Sequence, residues 1–208
     1  MSRAAALLAL LQLAAAPAAG EAVLGVDPAR SRVSFTLEAT LHTVRGTGRV
    51  VSGELRFDPA GGPAAGAVVV DARSFATGIA ARDRNMHEQV LESARFPEIR
   101  FEAERLEVRG RSASAGEVTL HGHFEIHGSR HAFAVPARVA LEGDGAREGA
   151  GVRVDASFRV PYVDWGMRDV SNLVLRVADE VDVQLELRGA FEPPEPGPPV
   201  EPESREAP

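Results

Sequence analysis

Four of the six histidines, His121, His123, His127 and His131, lie within residues 121–131. Residues two apart on a strand share a face, so His121, His123, Glu125 and His127 would present three imidazoles and a carboxylate to one side. Such a set can chelate a divalent ion, and a metal-dependent hydrolase is the chemistry that follows from it. The apolar residues of the same stretch, Leu120, Phe124 and Ile126, take the opposite parity and turn the histidines outward. A solvated polar face is therefore the expectation, with no metal site. A second polar pair, Arg82 and Asp83, precedes Met86, Val90 and Leu91, which are spaced as on one face of a helix. Asp83 suits an N-cap, and Arg82 suits pairing with a strand carboxylate. Alternatively, the two orient a ligand at the mouth of an apolar pocket. Asp164, Trp165 and Arg168 form a third group, readable as a lid or plug; Trp165, the sole tryptophan, equally suits plain barrel closure.

Composition removes other chemistries. All 23 basic residues are arginine, which excludes a Schiff-base or phosphate-loop lysine. The absence of cysteine excludes disulfides, thiol catalysis and thiolate metal sites. A formal net charge of −7 argues against nucleic acid as a partner. There is no nucleophile elbow, glycine-rich phosphate cradle or zinc-protease helix. Gly46, Gly48 and Gly53 are spaced along one strand, where they would permit strong coiling. Carboxylates are spread over every polar face, so none stands out as an acid/base pair. No enzyme is expected.

The elements that must position these residues alternate with period two. Val33, Phe35, Leu37 and Ala39 alternate with polar residues, as do Leu55 and Phe57. Val68, Val70 and Ala72 continue the pattern, with Val69 making that strand apolar on both faces. Ile99, Phe101 and Ala103 share one parity and Leu106 and Val108 the other, which predicts a bulge near Glu104–Arg105. Further stripes follow: Val118 to Ile126, Phe133 to Leu141, Val152 to Val160, and Val181 to Leu187. About eight or nine strands and one short helix, joined by turns, predict an all-β antiparallel sandwich or barrel. Closing a sheet of this size removes its edges.

The two ends read differently. Arg3, the apolar run from Ala4 to Ala16 and the small residues after it read as a signal peptide over residues 1–22, with cleavage between Ala18 and Ala22. The run is too short to span a bilayer, so a soluble periplasmic or secreted protein is expected, with no stable membrane insertion after cleavage. Residues 193–208 hold seven of the 14 prolines and four glutamates and read as a disordered acidic tail. The folded domain is placed at residues 23–192.

An ordered set of short motifs then resembles the YceI-like family, the lipocalin-like polyisoprenoid-binding proteins of the bacterial envelope. Val26-Asp27-Pro28-Ala29-Arg30-Ser31-Arg32-Val33-Ser34-Phe35 opens it. Ser74-Phe75-Ala76-Thr77-Gly78, Arg82-Asp83 and Phe96-Pro97-Glu98-Ile99-Arg100-Phe101 are similar to the family's S-x-x-T-G, R-D and Y-P-x-I-x-F signatures. Ile126-His127-Gly128, Asp164-Trp165-Gly166-Met167 and Val177 to Val183 continue the likeness. The chain departs from the pattern at Asn85-Met86-His87-Glu88, where many members have a His-Leu pair, and at Phe96, which replaces a tyrosine.

The resemblance implies an extended eight-stranded antiparallel β-barrel with a long apolar tunnel. It implies a bound amphiphile, an isoprenoid quinone or a polyprenyl lipid, held for transport or storage. The residues expected around it are Phe35, Leu37, Phe57, Phe101, Phe124, Phe133 and Phe158, with Arg82, Asp83 and Trp165. The alternatives are a hydrolase built on His121–His131, or an envelope stress or interaction protein whose barrel is filled by its own side chains. A homodimer is compatible with the sequence, though no exposed stripe argues for one.

Overall fold

The computed structural model describes residues 21–193, apart from 41, 113–114, 143–149 and 172–175. Residues 1–20 of the expected signal peptide and residues 194–208 of the expected tail lie outside the described residues.

Nine strands form one antiparallel sheet: β1 (Ala22–Val26), β2 (Arg32–Glu38), β3 (Thr43–Phe57), β4 (Gly62–Ala76), β5 (Glu98–Arg111), β6 (Ala115–Ile126), β7 (Ser129–Glu142), β8 (Ala150–Val160) and β9 (Val181–Glu192). The order β1-β3-β2-β9-β8-β7-β6-β5-β4 closes on itself through β3–β4. β1 and β2 share the same two neighbours. Leu24 of β1 faces Leu55 and Phe191, and Phe35 of β2 faces Gly46 and Val183. A single 3-10 turn, Pro28–Arg30, joins them, and the Asp27 carboxylate accepts its Ala29 N–H at 2.9 Å. Together β1 and β2 make one interrupted stave, so the barrel has eight staves. That number gives an interior wide enough for side chains or for one small ligand.

Three register shifts set which side chains face inward. The shift between Ala103 and Arg105 is the bulge that the change of parity in β5 predicts. A second, between Val50 and Ser52, carries the inward parity of β3 from Val44 and Val50 to Leu55 and Phe57. A third, where β3 meets β4 between Thr47 and Arg49, accompanies the inward turn of Phe75, against the parity of Val68 and Val70. The glycines of β3 do more than permit coiling. A Cβ at Gly46 would lie 2.4 Å from the Phe35 ring, and one at Gly48 would lie 2.8 Å from the Phe75 ring. Their lack of a side chain makes room for the two rings, which meet edge-on at 5.7 Å.

One short helix, α1 (Ala80–Asn85), runs on through a π-helical turn, Met86–Val90, across one end of the barrel. Asp83 is not its N-cap, as the sequence had suggested. Ile79 holds that position without a side-chain bond, and Asp83 sits inside the first turn. Its carboxylate reaches back to Thr77, whose backbone N–H donates to it at 2.8 Å and whose hydroxyl donates as well. A cap accepts from residues after it; this carboxylate instead ties the helix to the end of β4.

Candidate functional site

The inward stripes enclose a cavity of ≈ 810 Å³. Its walls are apolar along the length of the barrel. Phe35, Leu37, Phe57, Phe101, Phe124, Phe158 and Trp165 all line it, with Phe75, Met86 and Phe191. The rings pack on one another: Phe101 lies 4.8 Å and Phe158 5.7 Å from Phe124. Small residues such as Val154, Ala137 and Ala156 leave the middle open. Polar groups gather at the ends. His42, Thr77, Arg82 and Asn85 surround the end under the helix; Arg111 and Ser112 surround the other, where Arg111 donates to the Pro59 carbonyl.

Two of the expected residues do not line the cavity. Phe133 has the inward parity but packs instead between Phe124, Phe158 and Trp165 at the wall, at 5.5, 5.7 and 5.7 Å. Asp83 is occupied by Thr77, whose hydroxyl holds its carboxyl below the usual carboxylate range. Arg82 does line the mouth, half-buried, but pairs with no strand carboxylate. Its Nε donates to the Thr77 hydroxyl at 2.7 Å and a second guanidinium nitrogen to the Thr77 carbonyl at 3.2 Å. Among the described residues it makes no ion pair, so a cation sits beside an apolar cavity. Phe75 and Phe191 were not anticipated. The register shift hides Phe75 from any alternation count, and Phe191 falls past the last stripe read from the sequence.

The loop after β8 closes the barrel wall. Tyr162 is buried and donates its hydroxyl to the Ala178 carbonyl at 2.9 Å; burial pushes its phenol up to about 12. This anchors Trp165, which stacks on His131 with ring centroids 4.4 Å apart and planes 4° from parallel. Arg168 in turn donates to the Gln89 side chain on the π-helical turn.

The histidines separate. His121 meets Glu107 at 3.1 Å and His123 meets Glu104 at 2.7 Å on the outer face. His127 does not share that face. It occupies the β6–β7 turn at φ +51° and meets Glu92 at 2.6 Å, against the Phe96 ring. His131 points inward to Trp165. Among the described residues no group of three or more histidines and carboxylates is placed to hold a metal.

A closed eight-stave barrel around an apolar cavity, with a helix over one end, is the setting for a comparison of sequence. The chain matches the YceI-like domain over residues 25–189. It belongs to the YceI-like family. No curated protein sequence matches it. Among solved structures, the YceI-like barrel is similar to a polyisoprenoid binding domain from Saccharophagus degradans implicated in plant cell wall breakdown. Identity is 19% over 82% of this chain and 98% of that one, with a TM-score of 0.59. It is similar to Burkholderia cenocepacia BcnA at 19% identity over 79% and 99% of the two chains, TM-score 0.59. It is also similar to the Campylobacter jejuni YCEI protein at 16% identity over 73% and 86%, TM-score 0.55.

Proposed function

We propose that this YceI-like barrel binds one long-chain isoprenoid lipid or quinone in its cavity and carries or stores it as an exported envelope protein, without catalysis. The observation that carries this reading is an apolar cavity along the barrel with polar groups only at its ends. The similar Saccharophagus degradans structure, a polyisoprenoid binding domain, supports it. A carbon chain gains about 0.8 kcal/mol for each CH₂ taken from water. The tail therefore supplies affinity with little chemical selectivity. Arg82 and Asn85 at the helix end are the groups placed to accept a polar head.

Solvent extraction of the purified mature protein, followed by mass spectrometry, tests the proposal. A stoichiometric prenyl lipid or quinone is expected. An empty barrel that also refuses a panel of offered isoprenoids would favour the filled-barrel interaction protein instead. Arg82→Ala is expected to weaken binding of a prenyl lipid with an acidic or carbonyl head about tenfold, the loss of one charge-assisted contact. The same substitution should leave binding of a headless prenyl hydrocarbon unchanged, as isothermal titration would show.

A further inference from the structure

The β7–β8 seam is paired over only part of its length. Its register runs from Glu142↔Gly151 to Ala137↔Ala156 and stops there. On the other side, β7 pairs with β6 all the way to Ile126↔Ser129. The reason lies in the turn. His127 and Gly128 both have positive φ, +51° and +74°, as in a two-residue hairpin turn whose closing pair, Ile126 and Ser129, is hydrogen-bonded. Hydrogen-bonded pairs then alternate along the ladder. His131, Phe133 and Val135 therefore bond to β6, while Arg130, Ala132, Ala134 and Pro136 turn their backbone groups toward β8. Pro136 has no N–H to donate at the first position where the β8 ladder would continue. Among the described residues, the β7–β8 ladder includes none of Arg130, Ala132 and Ala134.

Aromatic rings fill the gap that the ladder leaves. Phe133 and Phe158 meet across it at 5.7 Å, and Trp165 packs on Phe133 at 5.7 Å and on Phe124 at 5.9 Å. Phe124, Phe158 and Trp165 also line the cavity. The indole is thus the partition between cavity and surface at this seam. It stacks on the His131 ring, whose Nε2 is buried without a hydrogen-bond partner.

We infer that the upper β7–β8 seam is a lateral portal through which the chain of a prenyl lipid passes into and out of the cavity, with Trp165 as its gate and His131 and Pro136 as positioning residues. This rests on the lipid-binding reading above. Passage here separates rings beyond the end of the described β7–β8 ladder, whereas parting a fully paired seam would break its hydrogen bonds. A tail sliding in sideways also keeps its polar head outside throughout, so the head need not be dragged through the apolar tunnel.

Trp165 is the sole tryptophan, so energy transfer from it to a dansyl-farnesyl probe follows binding in stopped flow. His131→Ala removes the support of the gate and is expected to raise both association and release rates about tenfold. Pro136→Ala restores a donor and is expected to lengthen the ladder and slow both rates by a similar factor. Neither side chain lines the cavity, so the equilibrium Kd should hold in both variants, a split that a merely structural role would not give. In the wild type, the Ala132 and Ala134 amides should exchange hydrogen rapidly, and those of Arg138 and Ala140 slowly. A probe that binds at unchanged rates in both variants would overturn the portal alone, as would slow exchange at Ala132 and Ala134. A probe that never binds the wild type would overturn the lipid reading and the portal with it.

Discussion

Asp83 and Tyr162 do similar work at opposite ends of the acidity scale: each fastens a connecting segment to the barrel through a buried or half-buried hydrogen bond. Asp83 accepts two bonds from Thr77, and the side-chain bond holds its pKa low in the folded state. A depressed carboxyl contributes stability above its unfolded value of about 4 and loses it as the pH falls through the folded one. Asp83→Ala should lower stability by about 1–2 kcal/mol at neutral pH. Denaturant melts of the variant should also depend less on pH below that point than those of the wild type. Tyr162 behaves in the opposite sense. Its raised pKa, about 12, means that the unfolded chain loses its proton first, so stability falls as the pH climbs past about 10. It is the only tyrosine, and an absorbance titration should show its ionisation delayed until the loop it anchors unfolds. Tyr162→Phe leaves the Ala178 carbonyl without its donor and should cost about 1 kcal/mol.

The strands carry the consequences of their irregularities. At the β5 bulge the Glu102 carbonyl lies over Gly122 so closely that a Cβ there would be 1.9 Å from the oxygen. A backbone atom cannot swing away as a side chain can. Gly122→Ala should therefore destabilise by roughly 3 kcal/mol, the upper end for overpacking. Gly46→Ala meets the Phe35 ring but also the Ala76 carbonyl, at 2.7 Å, and should cost about 1–3 kcal/mol while displacing a ring from the cavity wall. Thermal melts of the two variants would rank them. The helix is held mainly from outside its own turns, by Thr77 behind and by the His87 ring, which bonds to Ser93 and the Phe75 carbonyl at 3.0 and 2.9 Å. A segment this short has little stability of its own.

For the whole molecule, the barrel trades a filled core for a hollow one. The rings of Phe35, Phe75, Phe101, Phe124 and Phe158 stabilise its wall, but the middle is left to small side chains. A ligand that binds only the folded barrel should raise its melting temperature in proportion to the logarithm of ligand concentration. Filling the hollow from within should abolish that response. Ala137→Trp places an indole where the cavity is now open; the variant is expected to fold, to bind no prenyl probe and to melt at a temperature insensitive to added isoprenoid. A scanning fluorescence melt with and without a prenyl alcohol would decide this.

Much of the barrel was legible in the sequence. The inward stripes of β2, β6, β8 and β9, and the bulge in β5, follow from alternation alone, because each side chain's face is set by its immediate neighbours in the chain. The family motifs added closure and a cavity. Other features depended on partners distant in sequence. The merging of β1 and β2 into one stave is a property of their shared neighbours, β3 and β9. The inward turn of Phe75 accompanies a register shift against another strand. Asp83 had the right residue type for a cap, but Thr77 lay within reach and took its oxygen. Phe133 kept its predicted parity and still missed the cavity, because the ladder beyond Pro136 ends and Trp165 occupies the space. Local periodicity determines which way a side chain points; only the closed sheet decides what waits for it there.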